Sequence, residues 1–250
     1  SEQAEQHVVR KGPSVSAGMK DGAPTKALEG YARSAGTSVA ELKIMNDGKQ
    51  DIYAHEFTQT GQSLAALLSD ILTQALKKLP IPKVMRWGSS THTFVRPVHG
   101  LVMMHGTDTI SGSVLGLDSQ NWTLGHRFVS TEKVVFLQAD DYATQLHNEG
   151  KVIASFAERR EVIEHGLNRL SASLNATVAT DTALLDEVTA LVEWPVVLQA
   201  GFEEHFLDVP QECLILTMQQ NQKYFPLLDT DGKLMSRFLL VSNLQTDDPS

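Results

Sequence analysis

The chain has almost no cysteine, no long apolar run and no excess of positive charge, and each shortage removes a class of protein. Cys213 stands alone among 250 residues, so neither a disulfide framework nor a cysteine metal cluster is available. No apolar stretch reaches the length of a membrane span and no charged-then-apolar leader opens the sequence, which points to a cytoplasmic protein without a membrane partner. Lys and Arg number 21 against 30 Asp and Glu, a formal charge of -9, which argues against a protein that coats nucleic acid by general basicity.

The familiar catalytic signatures are missing as well. There is no Gly-rich phosphate loop ending in Lys-Ser/Thr, no His-Glu-x-x-His and no Gly-x-Ser-x-Gly elbow. Gly112-Ser113-Val114-Leu115-Gly116-Leu117 lacks a third glycine and falls on an expected strand, so it is no nucleotide fingerprint. Nine histidines include His92, His99, His105 and His126 within residues 81–137, but no carboxylate stands at ligand spacing beside them. Cys213, beside Leu214 on an expected amphipathic helix, reads as a small buried hydrophobe.

What is present suits a folded chain of mixed α and β structure: 42% of residues are apolar and 20% charged. Residues 1–25 are polar and broken by glycine and proline, and read as extended or loop. Thr25 can cap a short helix that Gly36 ends, a further helical turn starts near Ser38, and 51–58 alternates like a strand. Residues 63–79 carry a leucine stripe at helical spacing and Pro80 and Pro82 stop it, so this segment is expected to pack into the core.

Residues 81–137 read as a β-rich unit, with a hairpin about Gly106-Thr107-Asp108. A short helix over 140–148 precedes a long one over 151–175, whose stripe is Ile153, Phe156, Ile163, Leu167, Leu170 and Leu174. Arg159, Glu158, Glu161 and Glu164 are expected on its solvated face. Asp181 can cap a third helix that Trp194-Pro195 terminates, and Pro210 opens a fourth. Two strands flank Asp229-Thr230-Asp231-Gly232, a strong hairpin turn. The two long helices are expected to lie by their leucines on sheet built from 83–137 and 196–242.

The stretch most suggestive of chemistry is IPKVMRWGSSTHTFVRPVH, from Ile81 to His99. It sets Arg86 and Arg96 beside bulky neighbours, where a guanidinium can be held in one orientation toward a carboxylate or phosphate. From Ile81 to Arg127 the net charge is +2. Gly125-His126-Arg127-Phe128 and Gln222-Lys223-Tyr224-Phe225 each place a cation next to an aromatic residue, a pairing suited to stacking or phosphate contact with nucleic acid. The same pairing also covers the edge of an aromatic core, and the arginines can pair with acids of their own domain.

These residues resemble one family. LPIPKVMRWG from Leu79, FVRPVHGLV from Phe94, LGHRF from Leu124 and GKVIASFAERR from Gly150 are similar to the beta subunit of the bacterial two-subunit glycyl-tRNA synthetase. So are LLDEVTALVEWPVVL from Leu184, FLDVPQECLILTM from Phe206 and QKYFPLLDTDGKL from Gln222, and the resemblance runs over essentially the whole chain.

The resemblance implies an α+β fold, with a β-rich core like the editing-type module of the phenylalanyl enzyme and long helices flanking it. It implies an N-terminal linker and helical segment over 1–80, the module over 81–245, and at 246–250 the start of a linker to further domains. It implies a glycine-tRNA ligase in which a separate alpha subunit activates glycine with ATP and Mg, and in which alpha subunit and tRNA(Gly), not DNA, are the partners. No catalytic residue and no metal site is carried over. Arg86, Arg96, His126, Arg127, Lys223 and Tyr224 are the candidate tRNA contacts. Three readings stay open: a tRNA-positioning piece, a deacylase module active or vestigial, and a purely structural inter-domain module.

Overall fold

The computed structural model describes residues 2–180 and 182–245, so Asp181 and the expected linker at 246–250 lie outside the described residues. The chain divides into two compact units, Ser1–Pro80 and Ile81–Ser250, both of mixed α and β structure.

The first unit is a three-stranded antiparallel sheet in the order β1 (Gln6–Ser14), β3 (Asp51–Gln59), β2 (Lys43–Asn46), with helix α1 (Lys26–Ala35) upon it. Thr25 caps α1 by accepting from the Leu28 N–H, and Gly36 closes it in the left-handed conformation. The buried ones among its described residues are Gly18, Leu28, Ala32, Ile52, Tyr53 and Ala54. Tyr31 donates its hydroxyl to the Arg10 carbonyl and accepts from the His55 N–H, which pins α1 to β1 and β3.

Residues 6–14, expected to be extended or loop, form a nine-residue strand, because β3 offers a ladder that runs from Gln6 to Lys11 and resumes at Ser14: Val8 faces Phe57 and Arg10 faces His55. One expectation fails in this unit. Helix α2 (Leu64–Lys78) forms where its spacing puts it and Ser63 caps it, but none of its residues is buried. Leu64, Leu67, Leu68, Leu72 and Leu76 are half-buried, and Ile71 is exposed. Its stripe therefore does not fill a core.

The second unit begins with a series of short pairings in place of one broad sheet. β4 (Met85–Arg86) pairs with β5 (Thr93–Phe94), and β7 (Met104–His105) with β8 (Asp108–Thr109). β9 (Ser113–Val114) and β6 (Leu101–Val102) flank β10 (Leu117–Gln120), the latter in parallel. β11 (Trp122–Leu124) pairs with β12 (Lys133–Val135). The expected hairpin about residues 106–108 exists, but with two residues on each arm, and 113–117 belong to a second one. Val134, Phe136 and Leu146 form a small core beneath these pairings.

The rest of the unit is a four-stranded antiparallel sheet. Its order is β13 (Thr177–Val178), β15 (Phe225–Leu228), β16 (Leu234–Ser242), β14 (Val196–Gly201). A short helix, α3 (Tyr142–Gln145), runs on through a wide turn at Leu146–Gly150 and leads toward helix α4 (Phe156–Ser173). Helix α4 and helix α5 (Thr182–Leu191) cover the sheet through Ile163, Leu167, Leu184, Leu185 and Val188, packed against Phe225, Leu227 and Leu239.

Helix α4 starts at Phe156, not at Lys151, because Ser155 caps it and Lys151 is left-handed at φ 51°. Ile153 is buried from the extended segment instead, its N–H held by the Glu193 carbonyl. Arg159 is not on a solvated face: its guanidinium donates to the carbonyls of Ile153, Ala154 and Thr189 and so ties that segment to α5. Arg160 joins Asp186 at 2.8 Å and Glu164 at 2.7 Å, and the hydrogen bond to Asp186 chiefly holds its pKa above the ordinary value. The sheet is the one built from 177–242; the segments of 83–137 do not extend it. Helix α6 (Gln211–Thr217) leaves Cys213 exposed, where the sequence led us to expect burial.

Helix α4 lies close on β14 at Gly166, where a Cβ would stand 2.4 Å from a Val197 methyl. Leu167→Ala is expected to cost about 2–5 kcal/mol and Gly166→Ala about 1–3 kcal/mol in denaturant melts. Leu72→Ala, on the half-exposed stripe of α2, is expected to cost clearly less than Leu167→Ala. Equal losses at Leu72 and Leu167 would contradict this packing.

Candidate nucleic-acid interface

The loop between β11 and β12 contains the best-defined of the candidate residues, and two glycines shape it. Gly125 lies against Gly150: a Cβ on Gly125 would stand 2.5 Å from the Gly150 carbonyl oxygen and 2.6 Å from its Cα. That approach lets the His126 N–H donate to the Gly150 carbonyl at 2.6 Å. The His126 carbonyl then accepts from Val129 at 3.3 Å and Ser130 at 2.9 Å, and its Nδ1 accepts from the Phe128 N–H at 3.3 Å. An Nδ1 that accepts leaves the neutral ring's proton on Nε2. Nε2 is buried with no hydrogen-bond partner among the described residues.

His126 is thus the clamp of the loop and not a surface contact, since only 1% of it is exposed. The residues after it have nowhere to go but outward. Arg127 is exposed, with its guanidinium carbon 5.9 Å from the Phe128 ring centre, and Phe128 is 68% exposed. At the base of the loop Leu124 faces Lys133, whose Nζ lies 3.5 Å from the centre of the Trp122 ring.

Arg86 and Arg96 lie in and just beyond the β4–β5 pairing, where Arg86 faces Thr93 and Arg96 follows Phe94 by two residues. Both are exposed, and neither they nor Arg127 has an ion-pair partner among the described residues. Lys223 and Tyr224 have structural work instead. Lys223 closes a helix end at φ 60° and its Nζ meets Glu187 at 2.9 Å, while the Tyr224 ring stacks on Phe238 at 4.4 Å. The structure therefore brings Arg86 and Arg96 to one hairpin, sets Arg127 on another loop, buries His126, and leaves Lys223 and Tyr224 partly exposed. Lys133 and Trp122 were missed by the sequence reading, since they meet only diagonally across the β11–β12 pairing.

Beneath β11 and β12 lies a cleft of about 410 Å³ whose walls include Val102, Met104, Thr123, Phe136 and Tyr142. Among the described residues, no His, Cys, Asp, Glu, Lys or Arg lines it. Among the described residues no group of three or more His, Cys, Asp or Glu could hold a metal ion, and no helix is long and apolar enough to cross a membrane.

The family model for the glycyl-tRNA synthetase beta subunit matches residues 1–250. The chain belongs to that family. It is 68% identical over 248 residues to the glycine–tRNA ligase beta subunit of Neisseria meningitidis serogroup C (strain 053442). It is 44% identical over 247 residues to that of Chromohalobacter salexigens and 43% identical over 249 residues to that of Pseudoalteromonas atlantica. Each match takes in 99% of this chain and 36% of the relative, so the chain spans little more than a third of the length of these proteins.

Gly125→Ala is expected to destabilise the protein by about 1–3 kcal/mol, because the methyl would meet backbone that cannot swing aside as a side chain can. Gly30→Ala, in open space on α1, serves as the control and should not lower the melting temperature. An unchanged melt for Gly125→Ala would show that the two backbones are not in contact.

Proposed function

We propose that this chain is the part of a glycine–tRNA ligase beta subunit that helps to position tRNA(Gly) for charging with glycine in the cytoplasm. In this reading the alpha subunit is the partner that carries ATP, Mg and the chemistry. One observation carries the positioning role: Arg86, Arg96 and Arg127 stand exposed and without an ion-pair partner among the described residues of a chain whose formal charge is -9. An exposed arginine without a carboxylate is available to phosphate. The sequence from Ile71 to Thr107 supports this, for it contains Lys77, Lys78, Lys83, Arg86 and Arg96 and no acid.

The cleft beneath β11 and β12 is a poor fit for ATP and its metal. The cleft has no cation to meet phosphate and no carboxylate to meet Mg, and the sequence has no phosphate-binding loop. The same walls weigh against a deacylase at this cleft, which needs an acid or base beside a positioned water. Glycine also gives little cause for editing, since a pocket of its size excludes larger side chains by sterics alone. The purely structural reading needs the arginines to be buried in ion pairs, and these three are not.

In the assembled alpha–beta ligase, Arg86→Ala, Arg96→Ala and Arg127→Ala are each expected to weaken tRNA(Gly) binding without lowering the melting temperature. Removing one arginine–phosphate pairing should reduce the salt slope of binding by about 0.7–0.9 in magnitude, taking values for single strands and duplex DNA as a guide. Variants that melt early yet bind tRNA normally would replace this reading by the structural one. The chain alone is expected to show no glycine-dependent pyrophosphate exchange, and exchange by the purified chain would place the activation chemistry here.

A further inference from the structure

The Arg127 loop holds more than a phosphate contact requires. Phe128 is 68% exposed, although an aromatic ring of its size gains on the order of 2–3 kcal/mol from full burial. It is not a loose loop tip: its own N–H is bonded to the ring of buried His126, and the residues after it are bonded back to the His126 carbonyl. The ring is held out in water by a clamped backbone.

The surroundings match a planar, anionic ligand. Arg127 lies at the Phe128 ring and Lys133 at the Trp122 ring, so two cation–aromatic pairs sit on one hairpin. The β11–β12 loop contains one acid, Glu132, next to Lys133, and residues 119–131 contain none. Along β12 and the two residues after it, Val134 and Phe136 are buried, while Lys133, Val135 and Leu137 are exposed, Leu137 to 74%. A duplex offers phosphates but keeps the faces of its bases stacked inside; only unpaired nucleotides offer both phosphates and open faces.

We infer that the β11–β12 loop is a binding site for unpaired nucleotides of RNA, with Phe128 as the stacking platform for a base and Arg127 and Lys133 as its phosphate contacts. This rests on the tRNA-positioning reading above and narrows it from RNA in general to a single-stranded part of it. His126 is a positioning residue here: it touches no RNA and sets where Phe128 stands.

The test uses the assembled ligase with full-length subunits and two readouts: KM for tRNA(Gly) across a salt series, and quenching of a single-stranded oligoribonucleotide carrying 2-aminopurine. Phe128→Ala should raise KM for tRNA about tenfold, the loss of one base–aromatic stack, and abolish quenching. Its salt slope should stay that of the wild type because no charge is removed, whereas Arg127→Ala should lower the slope. Phe128→Tyr should retain binding and quenching, and Phe128→Leu should lose both. Full activity and quenching in Phe128→Leu would overturn stacking and mark the loop as an apolar surface for protein. A silent Phe128→Ala alongside weakened arginine variants would overturn this inference and leave the phosphate contacts standing. If neither set affects tRNA, both readings fall. Thermal melts on every variant identify any loss that is merely unfolding, and the Tyr-to-Leu comparison still decides if Ala destabilises.

Discussion

The approach of Gly125 to Gly150 is the constraint on which the candidate interface depends. Two backbone segments 25 residues apart come so close that Gly125 cannot carry a Cβ without displacement, since it would meet the Gly150 carbonyl oxygen and Cα. That closeness allows the 2.6 Å hydrogen bond from His126 to Gly150, and with it the burial of the His126 ring. The clamp has a cost of its own. A ring nitrogen that accepts from Phe128 leaves an Nε2 proton buried without a partner among the described residues, worth on the order of 1–3 kcal/mol. The hydrogen bonds about His126 and the small core of Val134, Phe136 and Leu146 offset it. A loop held in this way has one defined shape, and that shape turns Arg127 and Phe128 to solvent.

The same device recurs at Gly166, where α4 meets β14 through a Val197 methyl instead of through paired side chains. Around it the helix is fixed by polar ties as well as by leucines. Arg159 gathers three carbonyls from the incoming segment and from α5, and Arg160 is shared between Asp186 and Glu164. These arginines have found partners inside the unit; Arg86, Arg96 and Arg127 have not, among the described residues. That difference separates a cation that holds a fold together from one free for an outside ligand, and position along the sequence does not reveal it.

Much of the architecture was legible from the sequence, for identifiable reasons. The Thr25 cap, the stop at Gly36 and the Asp229–Gly232 turn act within a few residues, so local reading found them, although it passed over Ser155 and started that helix at Lys151. What was missed depends on distant partners. β1 is a strand because β3 supplies a ladder, and its own sequence has no alternation to announce it. The α2 stripe has a helix's periodicity but no core to enter, because periodicity fixes which residues share a face and not what faces them. Of the candidate site, the LGHRF segment was found by its chemistry, yet His126 and Arg127, adjacent in sequence, have opposite fates. Only the Gly125–Gly150 approach, invisible in a linear pattern, decides which is buried.

The charge of the chain bears directly on how such a loop would hold RNA. At physiological salt a charge acts over about 8 Å, so the acids of distant elements are largely screened at the β11–β12 loop and do not cancel Arg127 and Lys133. The same screening weakens the attraction of those two cations for phosphate, and the pair supplies little affinity by itself. A stacked aromatic ring is not screened by salt. It adds about 1–3 kcal/mol per base whatever the ionic strength, comparable to what a few phosphate pairings provide. In a protein that carries 30 acids against 21 bases, adding more cations would work against the rest of the surface, whereas one clamped Phe would not. The pairing of a rigid, exposed ring with a small number of open arginines is therefore the arrangement by which an acidic protein can grip a polyanion and still release it.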